Sequence, residues 1–124
     1  MAYLPDTNVF SQVFKGNSAV TSFIETLEVV IDSTIYIECV QGSKSNHEKQ
    51  IIQKVLDNFP LLLIDNDCSS RAIDLIKTYS NTHGLLLADA QIAATALEND
   101  LTVLTYNIAD FQFIKDLKWQ KPPI

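Results

Sequence analysis

Asp6, Glu38, Asp89 and Asp110 are the residues of this chain whose types and settings could do chemistry. Asp89 lies in the stretch Leu85 to Asp100, LLLADAQIAATALEND. Wound as a helix, this stretch puts Asp89, Ile92, Ala93 and Ala96 on one face, a carboxylate inside an apolar stripe. Gln91, Thr95, Glu98 and Asn99 take the opposite face, where polar groups normally go. A buried, ionised carboxylate must find a cation, hydrogen bonds or a proton. Glu38 repeats the pattern, sharing a helical face with Ile35, Cys39 and Gly42. Asp6 ends the first apolar run, and Asp110 follows Thr105-Tyr106-Asn107. Carboxylates suit hard divalent cations, and Mg²⁺ keeps several waters and needs only one or two direct carboxylates. A metal, or a carboxylate holding a water, can activate the nucleophile for phosphodiester cleavage. The plainer reading of Asp89 is a helix-start carboxylate near its own amides. For the set, it is scattered caps and surface charges, and spacing alone leaves both readings open.

The elements that must position these acids follow from the hydrophobic pattern. Met1 to Pro5 is an apolar run whose proline suits the end of a strand better than its middle. Asp6-Thr7-Asn8 can start a helix, and Val9 to Lys15 reads as a short helix stopping at Gly16. Val20, Phe23, Ile24 and Leu27 form a second helical stripe after Asn17-Ser18. Glu28 to Asp32 is a β-branched strand, and Ser33 is expected to cap a helix over Thr34 to Gln41. Ser45 and Glu48 have capping-box spacing before the stripe Ile51, Ile52, Val55, Leu56 and Phe59. Leu61 to Ile64 reads as a strand. Asn66-Asp67 opens a helix with Ala72, Leu75, Ile76 and Tyr79 inward, closed by Gly84. After the Asp89 helix come the buried strand Leu101 to Leu104 and a last short strand, Leu117 to Trp119. Strands alternating with helices predict an α/β fold, a parallel sheet covered on both faces. Ligands in such folds collect at the carboxyl ends of strands. One acidic pocket is therefore expected there.

The totals bound the rest. A chain of 124 residues is expected to form a single domain, residues 1–124, with a core of useful size. No apolar run approaches a membrane span, and reaching Asp6 almost at once leaves no long apolar signal region. Cys39 and Cys68 lack CxxC or Cys/His spacing and read as buried thiols in a reducing cytoplasm. A net charge of −6 and a pI near 4.6 argue against a broad nucleic-acid surface. They leave room for a small cleft whose acids are neutralised by metal ions.

Four segments in order carry a resemblance: Asp6-Thr-Asn-Val, Ser33-Thr-Ile-Tyr-Ile-Glu38, Ala88-Asp89-Ala-Gln-Ile-Ala-Ala-Thr-Ala, and Thr105-Tyr-Asn107-Ile-Ala-Asp110-Phe. Over nearly its whole length the chain resembles a PIN-domain ribonuclease of the VapC toxin type. The resemblance implies a three-layer α/β/α fold with a central parallel sheet. It also implies Mg²⁺- or Mn²⁺-dependent cleavage of RNA, a homodimer, and a cognate antitoxin covering the acidic cleft and an apolar groove nearby. By position, Asp6 and Asp89 match the family's principal metal-binding aspartates, and Glu38 matches the acid on the helix after the second strand. Asp110 is the fourth acid, although some relatives place it where this chain has Asn107. Thr7, Asn8 and Thr105 would orient ligands or backbone. The chain departs from the pattern at Pro5, where an apolar residue is expected, and at Tyr106, where a basic residue is common.

Lys44, Lys49 and Lys54 lie along one segment and read first as a solvated helix face, then as a contact for RNA or a partner. Arg71 suits a surface ion pair, His47 and His83 fall in polar loop-like sequence, and Trp119 reads as core. The stripe Val20, Phe23, Ile24 and Leu27 exceeds what a small core covers and suggests self-association. Three rival readings stand. An aspartyl-phosphate phosphatase would use Asp6 as nucleophile but wants an acid where Asn8 stands. A phosphoacceptor domain would use Asp65, Thr105 and Lys115. A PIN-like module that no longer cuts would have little use for all four acids.

Overall fold

The computed structural model describes all 124 residues. Its centre is β1, Ala2–Pro5, flanked on one side by β2, Glu28–Val29, and on the other by β5, Leu101–Leu104, with β6, Lys118–Gln120, at the edge. Every pairing is parallel. β1 and β5 run in register from Ala2 opposite Leu101 to Pro5 opposite Leu104. All four residues of β5 are buried, as parallel strands covered on both faces must be. Pro5 is the last residue of β1, so the ladder continues from the next amide, with Asp6 N donating to Leu104 O at 2.8 Å.

The expected strand Glu28 to Asp32 is broken at Val30. Its first half pairs with β1. Its second half, β3, Ile31–Asp32, pairs with β4, Leu61–Leu62, in a second parallel pair. Val30 N still donates to Tyr3 O, so the break redirects the chain without detaching it from β1. The following helix, α3, Ser33–Gln41, is capped by Asp32 and not by Ser33. Asp32 Oδ1 accepts from Ile35 N at 2.9 Å, whereas Ser33 Oγ accepts from Ile64 N at 3.0 Å. Both residues are good caps, and the one whose side chain reaches the third helical amide takes the role.

The helices are α1, Thr7–Phe14; α2, Ser18–Glu25; α3, Ser33–Gln41; α4, Asn46–Leu56; α5, Asn66–His83; and α6, Leu87–Glu98. Asp6, Asn17, Ser45 and Asp65 cap α1, α2, α4 and α5. Gly84 ends α5 in the left-handed region at φ 70°, where a Cβ would strain the backbone. α6 packs between α5 and β5, so even Thr95, on its expected polar face, is buried and turns its hydroxyl back to Gln91 O. A core of 25 buried residues runs from Leu4 to Leu117 through every layer. Val20 and Ile24 lie in that core, with Phe23 and Leu27 packed against it, so this stripe is not left over for self-association. Ile51 stays exposed beside buried Ile52, and Trp119 is exposed on the edge strand, contrary to a core placement. Arg71 pairs with Glu98 at 3.3 Å on the surface. Both cysteines are free and buried. No helix is long and apolar enough to cross a membrane.

Candidate active site

β1 leads on to β2 on one side, while its other neighbour, β5, leads on to β6 on the far side. The chain thus changes direction between β1 and β5, the switch point where a crevice opens at strand ends. Asp6 follows β1 there and Thr105 follows β5. Both are buried.

Asp6 is held by three donors. Oδ1 accepts from Thr7 N at 2.8 Å. Oδ2 accepts from Asn8 Nδ2 and from the Thr105 hydroxyl, each at 3.1 Å. Asn8 reaches across the switch point, because Tyr106 N donates to its Oδ1 at 3.2 Å. Thr105 Oγ1 also accepts from Asn107 N at 3.0 Å, which fixes the turn leading to Asp110. Thr7 links the next acid, its hydroxyl donating to Glu38 Oε1 at 2.8 Å. The sequence Asp-Thr-Asn thus caps α1 with its first residue, ties α3 with its second and clasps the β5 end with its third.

Asp89 sits in the first turn of α6, half-buried, with Ile92, Ala93 and Ala96 buried below it. α6 has no side-chain cap, since Leu86 stands at that position. A carboxylate stabilised by helix amides would lie below its usual range. Instead burial, and then the charges of Asp6, Asp110 and Glu38, push Asp89 up to about 7. Burial also raises Asp6, against the pull of Thr7 N and Thr105, with Glu38 and Asp110 adding repulsion. The four acids picked out from the sequence are therefore near enough for Asp6, Glu38 and Asp110 to act on Asp89 through their charges. Asp110 is the exposed one of the four, at the end of the single 3₁₀ turn Ile108–Asp110.

No three acid, histidine or cysteine side chains converge into a ready-made metal cage. The donors are nevertheless all oxygen, and their mutual repulsion is what a hard cation would relieve. Such an ion keeps most of its waters and needs one or two direct carboxylates, so the residues present fit it.

Asp32 is an acid that sequence reading passed over. It is fully buried, its Oδ2 has no hydrogen-bond partner, and burial raises its carboxyl above the usual range. Its signal in the sequence was an Asp closing a strand before a helix. The same end of α3 is tied to α6 by Thr34, whose hydroxyl donates to Gln91 Oε1 at 3.0 Å. Cys39 beside Glu38 is no nucleophile, since burial and then the charges of Glu38 and Asp6 push its thiol up to about 12. The residues of the phosphoacceptor reading have other partners. Asp65 caps α5 through Cys68 N, while Thr105 is committed to Asp6.

A sequence profile described as PIN domain matches residues 3–114. The chain belongs to the PIN-domain family. Among solved structures, it is similar to chains of toxin–antitoxin complexes. A chain in a toxin–antitoxin complex from Klebsiella pneumoniae is 29% identical, with a TM-score of 0.79 over 93% of this chain and 94% of that one. FitAcB from Neisseria gonorrhoeae is 28% identical, with a TM-score of 0.74 over 94% and 95%. VapBC2 from Rickettsia felis, solved bound to a fragment of promoter DNA, shares the fold at a TM-score of 0.83 and 22% identity over 98% and 99%. No curated protein sequence matches.

Proposed function

We propose that this chain is a metal-dependent endoribonuclease and the toxin of a toxin–antitoxin pair. The observation that supports the reading is Asp6, held by Thr7, Asn8 and Thr105 at the switch point, with Glu38, Asp89 and Asp110 near enough to act through their charges. Asp6 and Asp89 would hold Mg²⁺ or Mn²⁺, which when bound supplies a Lewis acid and lowers the pKa of a coordinated water. Glu38, with Oε1 fixed by Thr7, keeps Oε2 to accept a proton from a water aimed at phosphorus. Asp110, or Asn107 one turn earlier, would supply a further oxygen for the ion or its waters. Water adds to phosphorus and one bridging P–O bond breaks. The purified chain, freed of any partner, should cut structured RNA with Mg²⁺ or Mn²⁺ and stop with EDTA. Undiminished cutting in EDTA would overturn the metal mechanism.

The antitoxin assignment draws on the relatives solved as toxin–antitoxin complexes and on a second groove. Phe10, Val13, Ile24, Val55 and Phe59, from α1, α2, α4 and the turn after α4, line an apolar hollow of about 370 Å³. No lysine or arginine lines it, which suits an apolar segment of a protein partner.

Self-association is expected through residues other than the α2 stripe. Ile37 next to Glu38, Leu63 after β4, Ile73 on α5, and Leu86 and Leu87 before Asp89 are all exposed. Exposed apolar side chains such as the adjacent Leu86 and Leu87 are available to such a contact. The chain should behave as a homodimer at micromolar concentration. A clean monomer mass by light scattering, without antitoxin, would contradict this.

A further inference from the structure

We propose that the groove between α1, α3 and α4 is the track of the RNA strand entering the acidic site, with Lys15 and Lys44 holding phosphates on the side of the cut that lies in the groove. The proposal rests on the ribonuclease reading and adds to it the residues that seat the substrate. The groove opens beside Thr7 and Glu38 and has a volume of about 460 Å³. Thr7, Ser11, Phe14 and Lys15 follow one face of α1 at i, i+4, i+7 and i+8, so the track runs lengthwise from the site. Glu38, Cys39 and Gly42 form the α3 wall. Lys44, Glu48, Ile51 and Ile52 form the wall at α4.

Charge decides what this groove takes. A polyanion approaching four carboxylates in a chain of net charge −6 is repelled unless cations stand beside its phosphates. Lys15 and Lys44 are the cations of this groove, and neither is spent in an ion pair, since the pairs formed are Arg71–Glu98 and Lys118–Asp100. Glu48 is also present, but it sits in the first turn of α4, where helix amides offset its charge. Half-buried Phe14 and exposed Ile51 give the track an apolar side for sugars and bases, the usual complement to a charged single-strand groove. The apolar hollow on the other side of α1 has no such cations, so the two grooves divide between nucleic acid and protein. Of the three lysines read from the sequence as one solvated face, only Lys44 lines the track. Lys54 lies on α4 outside it.

The test is steady-state cleavage of a structured RNA with single-stranded loops across a KCl series. The proteins are the parent, Lys15→Ala/Lys44→Ala, Lys15→Arg/Lys44→Arg and Lys54→Ala. The double alanine variant should raise KM on the order of tenfold with kcat nearly unchanged, as two partly exposed phosphate contacts would. It should also flatten the logarithmic salt dependence of kcat/KM by about 0.7 per lysine lost. The arginine variant and Lys54→Ala should keep the parent's KM and slope. Both lysines are exposed, so folding is preserved, which thermal melts check. Parent-like KM and slope in the double alanine variant would overturn the track and leave the ribonuclease reading standing. An equal loss in Lys54→Ala would overturn it too, because the effect would then be general charge. A parent that cuts no RNA would overturn the ribonuclease reading itself.

Discussion

Asp6→Asn should abolish RNA cleavage, by roughly 10³-fold or more, while leaving the fold in place. Asn is as good a helix cap as Asp, so α1 keeps its start and Oδ1 can still accept from Thr7 N. What changes is the second atom. An amide nitrogen there would face Asn8 Nδ2, a donor, and the Thr105 hydroxyl, whose two lone pairs already accept from Asn8 Nδ2 and Asn107 N. Two hydrogen bonds are lost, and one buried charge disappears from a site where burial already opposes ionisation. These two effects have opposite signs, so stability should move by less than about 1 kcal/mol. Denaturant melts run beside the cleavage assay would separate lost chemistry from lost structure. A stable Asp6→Asn protein that still cuts at the parent's rate would sink the assignment of Asp6.

Much of this was legible because the site is built from caps and strand ends, which are local. Pro5 before Asp6 marked where β1 must stop, and the Asp-Thr-Asn run marked where α1 must begin. The stripe Ile92, Ala93 and Ala96 was visible as a helical face and is buried. What the chain did not disclose locally is what depends on partners far along it. The strand at Glu28 to Asp32 breaks at Val30 because its two halves meet different neighbours, and neither neighbour is encoded nearby. Ser33 and Asp32 compete for one cap, and Ser33 yields because Ile64 N claims its hydroxyl. Thr95 looked polar-faced but is buried, because α6 is covered by α5 as well as the sheet. Trp119 looked like core and lies on an edge strand, since a large aromatic carries no mark of whether another layer will cover it. For the acids, residue type and order suggested one pocket. Only the switch point between β1 and β5 gives the pocket a place.

Replacing Asp89 with Asn should produce an unusual pair of results, in which activity is lost while the metal-free protein becomes no less stable at pH 8. Burial and the charges of Asp6, Asp110 and Glu38 push this carboxyl from 3.8 up to about 7 in the folded chain. Between those two pH values the folded state holds a proton that the unfolded state has released. Stability from this group is therefore fully present below about pH 4 and is lost as pH rises towards 7. In EDTA the parent should weaken over that window. Asp89→Asn, which cannot ionise, should show a flatter profile and at pH 8 equal or exceed the parent by about 1–2 kcal/mol. This allowance is well short of the full shift, because Asp89 is only half-buried and the repulsion is screened. Mg²⁺ should stabilise the parent, since it binds the folded state, and should do so much less for the variant. A purely structural helix-start carboxylate predicts the reverse pair. Its loss would cost roughly 0.5–2 kcal/mol, as lost caps do, and the response to Mg²⁺ would persist. Denaturant melts of both proteins at pH 5 and pH 8, with and without Mg²⁺, decide between the two. An Asp89→Asn protein less stable than the parent at pH 8, with the parent's full response to Mg²⁺, would remove Asp89 from the site.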